Sequence, residues 1–279
     1  MLEKLGLGTV QFGQAYGISN RHGQVKREDV TRILSLAAQN GIRLLDTAAN
    51  YGEAETVLGR HDTRPFRIVT KTIGVHHGVE AVVARARQSA TALNADSLLV
   101  HAASDLAHPE GNALWRALLG LRDQGVFRKI GISVYVADNP AKLADRYRPD
   151  VMQLPFSLLD QRLLANGTLS ALSDLGVEIH ARSLFLQGLL FLDEVPEKLK
   201  SAAPHLAMIK ARLGEANISP LAAALRFVLA RPEIAFGLVG VTNADELQDI
   251  VKASRVPLPD LDWASFALAD ETVLTPSLW

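Results

Sequence analysis

Eight short apolar runs, spread along the chain and separated by helical patterns, limit the possible folds more than any other feature of this sequence. They are LGLGT at 5–9, IRLLDT at 42–47, FRIVTK at 66–71, SLLVHA at 97–102, RKIGIS at 128–133, DVMQLP at 150–155, VEIHAR at 177–182 and AFGLVG at 235–240. Most are near-continuous apolar stretches, as expected of parallel strands covered on both faces. Between them, Val30, Ile33, Leu34 and Ala37 follow helical spacing, with Gly41 as the stop. Leu114, Ala117, Leu118 and Leu121 repeat the pattern ahead of Gly125, and Ser219-Pro220 reads as an N-cap followed by proline at the first helical position. Strands alternating with helices imply right-handed parallel crossovers, and eight strands close a barrel. The expected fold is α/β: a single (β/α)8 TIM barrel domain over residues 1–279. A doubly wound sheet is the competing layout, but Gly6, Gly8 and Gly13 of LGLGTVQFG lack the G-x-G-x-x-G spacing. The segment 192–219 is too long for one helix and a loop, and predicts an excursion or an extra helix before the last strand.

Composition narrows the function. The chain has no cysteine, so disulfides, thiolate catalysis and cysteine-ligated metals are excluded. Lys and Arg number 29 against 30 Asp and Glu, which gives no net pull toward nucleic acid or an anionic membrane. The opening MLEKLGLGTV carries no long apolar stretch, and no uninterrupted apolar run reaches about 18 residues. A cytoplasmic protein is expected, without membrane or nucleic-acid partners; the oligomeric state is not readable.

In a barrel of this kind, chemistry collects at the C-terminal ends of the strands. Read in order, those ends carry Thr9, Asp46, Lys71, His101, Ser133, Gln153, Arg182 with Ser183, and Gly240, and Tyr51 follows just past the second strand. The strand starts show no comparable polar set. Alone, Asp46 reads as a cap, Tyr51 as a packing aromatic, Lys71 as a solvated cation and His101 as a core histidine. Together, an acid, a phenol, an ammonium and an imidazole around one mouth suit proton transfer to a carbonyl oxygen.

At this point the chain resembles the aldo-keto reductase superfamily. The matching segments are GLGTVQFG, GIRLLDTAANYGEAETVLG, the TK at 70–71, LLVHA, KIGIS, MQLPFSLLD, RSLFLQGLL and GVTNADEL, in the family's order almost end to end. The resemblance implies hydride transfer between a nicotinamide cofactor and an aldehyde, ketone or sugar carbonyl. Tyr51 would be the proton donor, Lys71 and Asp46 its partners, and His101 the group that orients the carbonyl. An ammonium beside a phenol favours the phenolate, and a carboxylate keeps that ammonium charged. No metal is implied.

The resemblance places Gly8, Thr9, Asp46, Ser133 and Gln153 at the cofactor. It adds Arg182, Ser183 and Gly188 from the seventh loop, and Gly240, Thr242 and Glu246 from the last. The chain departs from the family in two places: the usual Ser-Asn pair is Ser133-Val134, and Arg182 stands where relatives place an aromatic that stacks on the nicotinamide. NADP(H) is the expected cofactor, with NAD(H) as the alternative, because Glu246 would repel a 2′-phosphate. Asn243-Ala-Asp-Glu246 also reads as a capping box. Tyr16, Trp115, Phe156, Phe185 and Trp279 are candidate walls of an apolar pocket, while His76-His77 and the segment 20–24 could add polarity at the mouth. Two other functions stay open: a cofactor-sensing or regulatory protein on the same fold, and a metal-dependent hydrolase using His101, His180 and Asp46.

Overall fold

The computed structural model describes residues 2–18, 20 and 22–279, and its strands close a barrel. All eight apolar runs form strands: β1 Leu5–Gly8, β2 Leu44–Asp46, β3 Arg67–Lys71, β4 Ser97–Val100, β5 Lys129–Ser133, β6 Val151–Pro155, β7 Glu178–Arg182 and β8 Ile234–Gly240. Every strand pairs in parallel with its sequence neighbour, and β8 returns to β1 through Leu5↔Gly237 and Gly8↔Gly240. Seven of the observed strands are shorter than their apolar runs, while β8 begins one residue earlier, at Ile234. His101 consequently sits one residue beyond β4, not on it.

Side chains alternate between the barrel interior and the helices. Leu44, Val69, Leu99, Val151 and Leu238 form one small cluster inside the barrel, with Phe236 packed against it. Their neighbours Leu45, Ile68, Leu98 and Ile130 belong to the larger core that includes helix residues Ile33, Val82 and Leu118. Two residues beyond each interior leucine or valine, the same alternation points Asp46, Lys71, His101, Gln153 and Gly240 toward the mouth. The period of two thus turns a row of apolar side chains into a floor for a row of polar ones.

The helical signals also have physical counterparts. Helix Arg27–Gln39 buries Val30, Ile33, Leu34 and Ala37, and the chain turns at Gly41 with φ of 79°. Helix Gly111–Asp123 ends before Gly125, at φ 71°. Ser219 accepts a hydrogen bond from the Ala222 amide at 3.2 Å, capping helix Pro220–Leu229. The long segment before β8 holds a 3-10 turn, Glu197–Ala202, and the extra helix Ala203–Glu215. Among the described residues, no helix is long and apolar enough to cross a membrane.

One expectation is overturned. The strand starts do carry a polar set of their own: an ion-pair cluster that closes the opposite end of the barrel. Arg67 of β3 reaches Asp96 at 3.3 Å and Glu178 of β7 at 3.2 Å, and Lys129 of β5 also pairs with Glu178. His180 Nε2 lies 2.9 Å from the same carboxylate. A charge at the start of a strand looks like ordinary solvated flank until closure brings together residues 111 apart in sequence. Burial opposes the Glu178 carboxylate, but hydrogen bonds from His180 and Lys129 outweigh it and hold its pKa well below the usual range. Glu178→Ala leaves Arg67 and Lys129 facing each other across a partly buried site. It should cost about 2 kcal/mol in urea unfolding, below the 3–5 kcal/mol of a fully buried pair. Ligand binding at the other end should be unchanged.

Candidate active site

The mouth of the barrel is organised around Asp46. Its backbone carbonyl accepts from the Thr9 amide at 2.9 Å and the Thr9 hydroxyl at 3.0 Å, which ties the ends of β1 and β2 together. Its carboxylate accepts from Lys71 Nζ at 2.6 Å through Oδ2 and from Gln153 Nε2 at 2.7 Å through Oδ1. The second contact crosses the barrel from β6 to β2. Asp46 and Lys71 are buried, Lys71 to 1% exposure.

An ammonium has three donors. Lys71 directs them at Asp46 Oδ2, at the Thr47 carbonyl at 2.9 Å and at the Tyr51 hydroxyl at 3.3 Å. Nζ also lies 4.8 Å from the centre of the Tyr51 ring. Burial disfavours the charged ammonium, but Asp46 and Tyr51 together outweigh it, so the Lys71 pKa is raised. Lys71 remains a cation at neutral pH, aimed at the phenol oxygen.

Tyr51 reaches this position from a loop held by backbone contact. Gly13 and Gly52 abut so closely that a Cβ on Gly13 would come within 1.8 Å of the Tyr51 carbonyl, and one on Gly52 within 2.4 Å of the Gly13 carbonyl. Gly52 also has φ of 54°. Beyond the loop, the short helix Ala54–Leu58 is pinned by Glu55. That buried carboxylate accepts from Thr70 Oγ1 at 2.5 Å and Ser89 Oγ at 3.0 Å, and it pairs with Arg85. Thr70 precedes Lys71 on β3, so Glu55 fastens the segment carrying Tyr51 to the strand carrying Lys71. Glu55 lies within the GIRLLDTAANYGEAETVLG segment, where sequence alone assigned it no role.

His101 meets Tyr51 edge-on, with ring centroids 5.7 Å apart, and its amide donates to Thr72 Oγ1 at 3.2 Å. Burial first, then the nearby charges of Lys71 and Arg182, lower its pKa to about 4, although Asp46 opposes the shift. The imidazole is neutral at neutral pH, with one ring N–H to donate.

A cleft of about 830 Å³ opens above these groups, within the usual size range of small-molecule sites. Asp46, Tyr51 and His101 line it, while Lys71 sits behind. Gly8, Thr9, Ser133, Gln153, Arg182 and Ser183 line the same cleft, as do Gly188, Gly240, Thr242 and Glu246. Gln11, which the sequence reading did not single out, also lines it and carries a buried amide oxygen with no protein partner. Gln153 spends its Nε2 on Asp46, which leaves its carbonyl oxygen for a ligand. A long, polar, hydrogen-bonding ligand of nicotinamide-dinucleotide type fits this donor and acceptor set.

Arg182 is clamped. Nη2 donates to the Val134 carbonyl at 3.0 Å, Nη1 to Ser183 Oγ at 3.4 Å, and the guanidinium lies 4.3 Å over the ring of Tyr135. One of its faces is therefore already covered by an aromatic the sequence reading missed. The following loop has Ser183, Leu186 and Gln187 at positive φ, a run of strained backbone of the kind that gathers at functional sites. Across the cleft, Asn243 caps helix Ala244–Ala253 by accepting from the Glu246 amide at 2.9 Å. The Glu246 carboxylate turns back to the Thr242 amide and hydroxyl, both at 2.7 Å.

Of the candidate walls, Tyr16 and Phe185 line the cleft, joined by Phe191. Trp115 packs on Tyr147, Phe156 on Phe227, and the Trp279 indole donates to Thr272, so none of these three reaches it. Asn20 lines the cleft and secures its loop by donating to the carbonyls of Tyr16 and Gly23, whereas Arg21 lies outside the described residues. His76 and His77 stack on each other away from it. The metal-hydrolase reading needs His180 beside His101. Instead, His180 is engaged by Glu178 and Phe236, two residues below Arg182 on β7.

A closed parallel barrel thus carries a Lys–Asp–Tyr–His cluster at its mouth. The model of the aldo/keto reductase family matches residues 4–271, and the chain belongs to that family. An aldo-keto reductase of Mycolicibacterium smegmatis is 32% identical over 187 residues, covering 62% of this chain and 65% of the relative, just under two thirds of its length. The holo form of an aldo-keto reductase from Bacillus halodurans superposes with a TM-score of 0.74 at 18% identity, covering 99% of this chain and 93% of that one. An aldose reductase from Giardia lamblia gives 0.69 at 19% identity, over 95% and 92% of the two chains.

The His101 shift makes the fold acid-sensitive. Its pKa is depressed from 6.5 to about 4 on folding, so between those values the unfolded chain binds a proton that the folded one refuses. Stability should fall as pH drops from 6.5 toward 4. His101→Asn should lose that part of the slope when melting temperature is measured against pH.

Proposed function

We propose that this protein is an NAD(P)H-dependent oxidoreductase of aldehydes, ketones or sugar carbonyls, with Tyr51 as the proton donor. The observation that carries this reading is the Lys71 ammonium, buried, held by Asp46 and directed at the Tyr51 hydroxyl. The cofactor, when bound, supplies the hydride for the carbonyl carbon. The protein supplies the proton for the oxygen.

The charge that proton transfer leaves on the Tyr51 oxygen faces the Lys71 ammonium. Asp46 keeps Lys71 charged and in line, and Gln153 fixes Asp46 from across the barrel. Neutral His101 donates its ring N–H to the same carbonyl oxygen as negative charge grows there. Ser133, Gln153 and the Gln11 amide would hold the nicotinamide end, with Ser183, Gly188, Gly240 and Thr242 along the rest of the cofactor. We take NADP(H) as the cofactor, with NAD(H) the alternative, since Glu246 stands on the wall of this cleft.

Tyr51→Phe should fold and bind cofactor normally but lose about 10²-fold or more in turnover, the usual scale for a positioned general acid. Lys71→Met should be comparably harmful, because it also strands a buried Asp46. A Phe variant that kept most of its turnover would remove Tyr51 from the role. Wild-type protein that binds cofactor yet turns over no carbonyl would return the cofactor-sensing reading.

Cofactor choice has its own test. Glu246→Arg should tighten NADPH relative to NADH, by less than about tenfold, since a charge in a partly solvated pocket is worth roughly 1 kcal/mol. Titrating both cofactors by tryptophan quenching, at low and high salt, measures the ratio. If that ratio does not move, Glu246 serves only the helix terminus and Thr242.

A further inference from the structure

We propose that Arg182 recognises an anionic oxygen group, a carboxylate or a phosphate, on the carbonyl substrate, so that the cleft favours acidic aldehydes and ketones over neutral ones. The inference rests on the carbonyl-reductase reading above and names the substrate class of that site. Among the described residues lining the cleft, Arg182 is the one Arg or Lys. No described carboxylate pairs with it. The cleft's three acidic residues are engaged elsewhere: Asp46 by Lys71 and Gln153, Glu246 by Thr242, and Asp249 by Lys252 at 3.0 Å.

The guanidinium is nevertheless held in place. The Val134 carbonyl, Ser183 Oγ and the face of Tyr135 fix it, and these contacts use two of the five N–H donors an arginine has. What remains is a preset fork, the geometry that matches carboxylate and phosphate oxygens. Its place is at the reacting end of the cleft: it ends β7 beside β6, whose Gln153 holds Asp46, and it lines the same cleft as Tyr51 and His101. A neutral substrate closing over Arg182 would strip water from a cation and return no partner. Sites built this way reject analogues lacking the matching group. An acidic substrate supplies the missing charge. The face of the guanidinium away from Tyr135 is left to flank the nicotinamide.

The test measures kcat and KM of the full-length protein on matched pairs. One arm uses ω-oxo carboxylates of increasing length, each against its methyl ester; the other uses aldose phosphates against the free aldoses. The acidic member of one arm should be preferred by about tenfold or more in kcat/KM, as expected for charge-assisted hydrogen bonds. The arm that shows the preference tells carboxylate from phosphate. Salt should weaken the preference. Arg182→Met should abolish it mainly through KM of the acidic member, and Arg182→Lys should restore part of it. Equal loss on acidic and neutral substrates, together with weaker NADPH binding by tryptophan quenching, would mean that Arg182 serves the cofactor diphosphate, and would overturn the proposal. Wild-type protein that reduces neutral and acidic carbonyls equally overturns it with no variant needed, and leaves the reductase reading standing. No turnover of any carbonyl would sink both.

Discussion

The contact between Lys71 and Asp46 is the one on which the rest of the site depends. Two opposite charges buried at the end of a barrel are expensive to desolvate, and their mutual attraction offsets that cost only when the leftover donors and acceptors are satisfied as well. Here they are. Lys71 spends its donors on Asp46, the Thr47 carbonyl and Tyr51, while Asp46 takes a further hydrogen bond from Gln153. The same ammonium faces the Tyr51 hydroxyl and, after burial, helps to keep His101 neutral against the opposing charge of Asp46. Stability and chemistry therefore share one set of hydrogen bonds, and neither partner can be exchanged without disturbing both.

That set is held from three directions. β1 fixes the Asp46 backbone through Thr9, β6 fixes its carboxylate through Gln153, and Glu55 fastens the segment bearing Tyr51 to Thr70 on β3. The Gly13–Gly52 contact sets the approach of the Tyr51 loop to within backbone van der Waals distance. Part of this preorganisation resides in groups, such as Glu55, Thr70 and Gly52, that do not line the cleft.

Much of this was legible in the sequence, for identifiable reasons. Strands covered on both faces are apolar throughout, so all eight stood out, and polar residues at their C-terminal ends marked the mouth. Asp46 and Tyr51 share one segment, with Lys71 in a later TK and His101 in LLVHA, and it is the combination that is specific. The floor of the barrel was not legible. Arg67 and Glu178 are ordinary flanking charges until closure makes them neighbours. Nor could the sequence say that Tyr135 would lie under Arg182, because Tyr135 follows β5 and Arg182 ends β7. Glu55 was visible as a motif residue, but its partners Thr70, Arg85 and Ser89 lie on other elements and carry no local signature. Trp115 and Phe156 show the reverse limit: large aromatics look alike whether they pack in the core or face a ligand.

The apolar cluster inside the barrel has a consequence beyond packing. Leu44, Val69, Leu99, Val151 and Leu238 separate the ion pairs of the floor from the charges of the mouth. Arg67 and Lys71 lie at opposite ends of one five-residue strand, about 13 Å apart at roughly 3.3 Å per residue. The cluster keeps the two sets of charges well out of contact, so substitutions on either side should combine additively. Strand β3 thus carries a charge of the floor, Arg67, at one end and a charge of the site, Lys71, at the other.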